Sequence, residues 1–148
     1  MANIKIVVGS TYGNAQSVAE DAAQQLQAMG NAVDVLQHAV AADLMRDDFD
    51  TLIVCTATIG DGEVPENLLP LYESLEQGEQ DLAHLQYAVI ALGDSSYDNF
   101  AHAGMLMNEI LEQRSANLIQ EALYLDACEM HKADDLLFDW IQQLQSQL

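Results

Sequence analysis

Cationic side chains are nearly missing from this chain: its 148 residues hold 4 Lys+Arg against 24 Asp+Glu, a formal charge of −20. Such a surface repels phosphate backbones, which argues against a nucleic-acid binder. It disfavours anionic membrane surfaces for the same reason. Cysteine is scarce as well. Cys55 and Cys128 lie far apart and form no CxxC, so no disulfide framework is expected and a reducing, cytoplasmic setting is. No apolar run approaches the ~20 residues that span a bilayer. Met1-Ala2-Asn3-Ile4-Lys5 is not a charged leader ahead of a long apolar stretch, so no signal peptide is expected. Linkers, internal repeats and low-complexity segments are absent. Apolar residues are plentiful at 50%, which excludes a disordered chain and predicts one domain over 1–148 with a proper core.

Two periodicities alternate along the chain. Apolar runs at Ile4–Val8, Ala32–Leu36, Leu52–Thr56, Tyr87–Leu92 and Leu118–Leu125 predict five strands. Between them, Asn14–Met29 carries Val18, Ala22, Leu26 and Met29 on one helical stripe, with Gly30 suited to a left-handed stop. A second helix is predicted from Pro65 through Leu68, Leu69, Tyr72 and Leu75. A third spans Asn99–Arg114, with Met107, Ile110, Leu111 and Arg114 at helical spacing. The last is capped by Asp134 or Asp135 and bears Leu136, Leu137, Trp140, Ile141, Leu144 and Leu148. Trp140 and the helical methionines are assigned to the core. Strands alternating with helices imply an α/β fold: a parallel sheet with helices on both faces and right-handed crossovers. Ligands in such sheets bind beyond the carboxyl ends of the strands.

Three loops would open on that edge. The first, Ser10-Thr11-Tyr12-Gly13-Asn14-Ala15, joins a strand directly to a helix and offers hydroxyls and backbone N–H groups to a phosphate. It lacks G-x-G-x-x-G and the nucleotide-hydrolysing G-x-x-x-x-G-K-S/T pattern. Alone it reads equally well as an ordinary turn capped by Ser10 or Asn14. The second runs from Thr56 to Asn67, with Gly60 and Gly62 allowing close backbone approach and Asp61, Glu63 and Glu66 bringing negative charge. The third, Gly93 to Phe100, sets Tyr97 and Phe100 among turn formers, where a planar ligand could stack.

Taken together, these stretches resemble the flavodoxins of the short-chain type over essentially the whole chain. The family's phosphate loop, roughly Ser/Thr-x-Thr-Gly-Asn/Ser/Thr-Thr/Ala, is matched by Ser10 to Ala15. Its flavin loops are matched by Thr58-Ile59-Gly60-Asp61-Gly62-Glu63 and by Leu92-Gly93-Asp94-Ser95-Ser96-Tyr97-Asp98-Asn99-Phe100. The chain is also similar to the FMN domains of diflavin reductases, in which an acidic position beside the flavin corresponds to Asp126. The resemblance implies a flavodoxin-like three-layer sandwich with five parallel strands in the order 2-1-3-4-5. Flavodoxin is a standard example of that order, with FMN at the switch point. It also implies an FMN site drawn from Ser10, Thr11, Tyr12, Gly13, Asn14, Ala15, Thr58, Ile59, Gly60, Asp61, Gly62, Leu92, Gly93, Asp94, Tyr97, Asn99, Phe100 and Asp126. Tyr12 stands where the family usually has Thr, and Ile59 where many members place an aromatic over the flavin.

The implied function is electron carriage rather than enzyme catalysis. Single electrons would pass on non-covalently bound FMN between a flavoprotein reductase and an acceptor enzyme, both presenting basic faces, with the carrier a monomer. A peptide at the position of Gly60 would turn its carbonyl toward flavin N5 on reduction. A carboxylate ~10 Å from the ring would cost the fully reduced anion about 0.4–1.7 kcal/mol, or roughly 20–70 mV. A quinone- or azo-type NAD(P)H reductase and a cofactor-free interaction module are the alternatives on this fold. A response-regulator receiver fails, because Gly9-Ser10, Thr56 and Asp126 stand where it needs an acidic pair, an Asp and a Lys. No nucleophile–base pair is evident. Cys128 and His131 make only two metal ligands, too few for zinc. Cys55 reads as a packed small hydrophobe, and His38, His84 and His102 as surface residues.

Stacking and phosphate binding should separate under mutation. Tyr97→Ala should weaken FMN and riboflavin alike by roughly 2–3 kcal/mol, since a ring face ignores the phosphate. Ser10→Ala and Thr11→Ala should each weaken FMN by about 1–3 kcal/mol and leave riboflavin almost untouched. Titration of the three apoproteins with both flavins tests this. Wild-type affinities in Tyr97→Ala would make Tyr97 a packing residue.

Overall fold

Successive residues of a strand face opposite sides of a sheet, and here both sides are apolar, so the sheet has to be covered twice. The computed structural model describes residues 2–10, 13–58, 62–94, 101–126 and 131–148. In chain order they form β1 (Asn3–Gly9), α1 (Asn14–Ala28), β2 (Ala32–Leu36), α2 (Ala41–Leu44), β3 (Thr51–Thr56), α3 (Leu69–Gln77), β4 (Gln86–Gly93), α4 (His102–Gln113), β5 (Asn117–Leu118), β6 (Leu123–Asp126) and α5 (Ala133–Gln145). All pairings among them are parallel. The order is β2-β1-β3-β4-β5, with β6 also on the outer side of β4. This is the expected order.

On one face Ile4, Ile6, Val8, Ile53, Cys55 and Ile90 pack against Ala19, Ala22 and Leu26 of α1 and Leu137, Ile141 and Leu144 of α5. On the other, Val7, Leu52, Val54 and Val89 pack against Leu71 and Leu75 of α3 and Met107 and Leu111 of α4. The three layers follow directly from this alternation. One charged residue enters it: Lys5 is buried along its stem, lies 4.6 Å over the Phe49 ring and reaches Asp48 at 3.4 Å.

Several boundaries differ from the sequence reading. The last strand is not continuous over Leu118–Leu125. Ile119 N–H still donates to the Tyr87 carbonyl at 3.1 Å, but residues 120–122 leave the ladder, where Trp140 Nε1 donates to the Glu121 carbonyl and Gln120 Nε2 to the Trp140 carbonyl, both at 2.9 Å. Pro65 starts a turn rather than a helix. Its carbonyl accepts from Leu68 and Leu69 N–H, and α3 begins at Leu69 with Pro70 in the first turn, where its missing N–H costs nothing. Asp134 and Asp135 do not cap α5 but lie in its first turn, near the positive helix end. α4 begins at His102 after Ala101 at φ 58°, and Asn99 lies outside the described residues. The short α2 was not anticipated. Trp140 and Met107 are core as expected, but Met105 and Leu136 are exposed. Cys55 is fully buried and burial pushes its thiol well above the ordinary range, so it stays a protonated core side chain.

At Gly104 α4 lies close against the sheet: an added Cβ would lie 2.5 Å from Ala91 Cβ. Helix propensity favours Gly104→Ala by about 1 kcal/mol, but overpacking costs about 1–3. The variant should therefore lose up to about 2 kcal/mol of stability in urea unfolding. A gain would show that α4 can move off the sheet at little cost.

Candidate functional site

The parallel register fixes where the loops open. Gly9 pairs with Thr56, Thr56 with Ala91, and Gly93 with Asp126, so four strands end along one edge. The ladder runs one residue further, since Ala57 N–H donates to the Gly9 carbonyl at 2.7 Å. The first two loops therefore leave the sheet side by side.

At the first loop, Gly13 turns the chain into α1 at φ 88°, ψ −5°. A Cβ there would meet nothing within 4 Å, so the need for glycine is conformational, not steric. Ser10 Oγ accepts from Gly13 N–H at 2.9 Å, which leaves the Ser10 O–H as a donor. The first helical bond runs from Ser17 N–H to the Gly13 carbonyl. The amides of Asn14, Ala15 and Gln16 thus precede the intrahelical ladder, at the positive end of a 15-residue helix. Gly13 and Asn14 are exposed there, whereas the Ala15 methyl is buried in the core and offers a ligand only its backbone. No Lys or Arg occurs in any of the three loops. This donor set is neutral and fits a phosphate monoester held by N–H and O–H groups.

Cross-loop hydrogen bonds tie the edge together. Ser10 N–H donates to Asn67 Oδ1 at 2.8 Å, and the Asn67 carbonyl accepts from His38 N–H. The Thr58 hydroxyl accepts from Ala103 N–H in the first turn of α4 at 3.2 Å, so it serves partly to hold the second loop on α4. Gly62 is buried at φ 107°. Gly93, Asp94 and Asp126 are half-buried, and Glu63 and Glu66 are exposed. Leu92 packs in the core on the α1/α5 side. Ser10, Gly13, Asn14, Thr58, Gly62, Gly93, Asp94 and Asp126 are thus all placed at the carboxyl edge. Thr11, Tyr12, Ile59, Gly60, Asp61, Tyr97, Asn99 and Phe100 lie outside the described residues, as does Cys128. Among the described residues, no three His, Cys, Asp or Glu side chains are grouped to hold a metal ion. Asn67 was missed by the sequence reading. Its position at the end of the second loop was visible, but its bond to a residue 57 positions away was not.

Comparison with known proteins gives the same picture. The sequence model of the family described as Flavodoxin matches residues 6–140. Flavodoxin YqcA of Escherichia coli (strain K12) is 35% identical over 143 residues, covering 97% of this chain and 96% of its own. A MioC homolog of Pasteurella multocida is 37% identical over 145 residues, covering 98% and 97%. Among solved structures, a C101A mutant of flavodoxin from Pseudomonas aeruginosa matches with a TM-score of 0.90 at 32% identity, over 99% of this chain and 98% of that one.

Through its bond to the Ser10 N–H, the Asn67 side chain positions the first loop. Asn67→Ala should lower FMN affinity by about 1–2 kcal/mol while leaving riboflavin affinity within error. Calorimetric titration of the apoprotein with the two flavins measures both. An equal loss for both would mean that Asn67 supports the whole edge and not the phosphate loop.

Proposed function

Since the chain belongs to the flavodoxin family, whose members carry electrons on FMN, we propose that it passes single electrons between a flavoprotein reductase and an acceptor enzyme. The observation that supports this reading is that a neutral, amide-rich helix start, the second loop and the end of β4 lie along one edge of the sheet. When bound, FMN supplies the one-electron chemistry. Each chain element then has a separate task. Gly13 sets the entry into α1, and the Asn14, Ala15 and Gln16 amides with the Ser10 hydroxyl hold the phosphate. Asn67 fixes the second loop on the first, and Thr58 fixes it on α4. Tyr97 and Ile59 would enclose the ring, and Gly60 would give its loop freedom to adjust. Asp94 and Asp126 oppose further negative charge at the site, which lowers the second potential.

The acid excess supports basic-faced partners. With 24 Asp+Glu against 4 Lys+Arg, and acids inside both flavin loops, encounter with a positively charged redox protein is steered. No described helix is long and apolar enough to cross a membrane. We take the working setting to be the cytoplasm, with the chain acting as one domain and as a monomer.

Two measurements test this. The apoprotein should bind FMN stoichiometrically and more tightly than FAD, and FAD binding as tight or tighter would overturn the cofactor geometry. Stopped-flow reduction by a flavoprotein reductase should slow as ionic strength rises, because screening shortens the reach of the acidic field. A flat or rising association rate would mean the acidity serves solubility only. Steady NAD(P)H oxidation by the protein alone would favour a reductase instead.

A further inference from the structure

The elements that lead into the flavin edge also wall a second concavity, on the α4 face of the sheet. It lies beside the break in the last strand. Met105 and Glu109 of α4, Leu118 of β5, Glu121 in the break and Tyr124 of β6 surround it, over Ala91 of β4. Its volume is ≈ 230 Å³. Sites that enclose whole small ligands run ~300–1,000 Å³. This one is sized for one or two side chains.

Its walls are apolar and open to solvent: Met105 is 46% exposed, Leu118 51% and Tyr124 47%. Scattered exposed apolar residues need no explanation, but three around one concavity do. The groove is also built. The reciprocal bonds between Trp140 and residues 120–121 hold the break in place from the opposite layer. That break leaves edge strands of only two and four residues, too short to template strand addition by a partner. Insertion of a side chain is the mode left open.

The rim decides the chemistry of the occupant. Glu109 and Glu121 line it, and no cation does. Arg114, at the end of the same helix, donates instead to the Leu75 and Glu76 carbonyls. A second copy of a chain with charge −20 would bring like charges together. A segment pairing an apolar side chain with Lys or Arg would meet the opposite charge. We propose that this groove is an anchor site for a partner protein, taking one apolar or aromatic side chain whose flanking Lys or Arg residues face Glu109 and Glu121. From the groove, β6 runs to Asp126 at the carboxyl edge. A segment seated here therefore docks beside the flavin edge without covering it. The assignment stands apart from the reading of the flavin loops, none of whose residues line the groove.

The test uses the FMN-loaded, ¹⁵N-labelled protein and three ten-residue peptides: a central Trp flanked by Lys, the same with Gly for Trp, and the same with Glu for Lys. The first should shift amides at 104–109 and 118–124 and bind at least about tenfold more tightly than either control. The double variants Met105→Ser/Leu118→Ser and Glu109→Gln/Glu121→Gln should each lose about tenfold for that peptide and keep FMN affinity unchanged. Shifts confined to the loops at 56–67 and 93–101, or equal binding of the Gly peptide, would overturn the proposal. So would concentration-dependent broadening of groove amides without peptide, which would assign the groove to a second copy. The peptide controls on the unsubstituted protein decide the matter even if a variant fails to fold. Failure to hold FMN would count against the flavin reading and not against the groove.

Discussion

Six register pairs, from Ile4 with Thr51 to Gly9 with Thr56, lock β1 to β3 in parallel, and the position of every functional loop depends on that lock. Parallel strands share the direction of their carboxyl ends, so their loops must open together. The Ala57-to-Gly9 hydrogen bond carries the constraint past the last paired residues into the loops. A one-residue slip would send Ile4, Ile6 and Val8 from the α1/α5 core to the α3/α4 core. Register, core and site are therefore specified by the same apolar alternation.

An anionic cofactor on a protein of charge −20 looks unfavourable until distances are considered. At physiological ionic strength charges beyond ~8 Å are largely screened. The groups that would count are those nearest the phosphate, and at the α1 start proposed for it these are neutral donors. The acidic field elsewhere is real but local. Burial raises the Tyr72 phenol above its ordinary range, and Glu76 and Glu109 add to the effect. Burial likewise raises Tyr87, with Glu112 contributing. Carboxylates thus lie close to the Tyr72 and Tyr87 phenols on the α3–α4 side, whereas the first turn of α1 carries no acidic residue.

The sequence carried the strands well because five apolar runs, each bounded by polar or turn-forming residues, leave few alternatives. It carried the family because the loop motifs recur in a fixed order. Its errors have physical causes. Residues 118–125 have the composition of one strand, and nothing local shows that an indole 19 residues beyond Glu121 draws the chain out of the ladder. Met105 sits on a helix whose apolar stripe suggests burial, yet the sheet beneath it ends in a broken edge strand and offers nothing to cover it. Four residues of α2 are too few to display a helical period, and its start is held by an Asp43 side chain accepting from the Val40 N–H.

What the sequence by itself determined is the alternation of the main strands and helices, their order in the chain, the two-sided core and the identity of the loop residues. All of these rest on period, composition and neighbours a few positions apart. Tertiary structure alone decided which groups meet: Asn67 with Ser10, Thr58 with Ala103, and the Trp140 indole with Glu121. It also decided that a groove opens where the last strand breaks. The physical reason is that these are single hydrogen bonds between residues 19 to 57 positions apart. Which partner a donor finds at that separation is set by the packing of whole layers, and no local pattern records it.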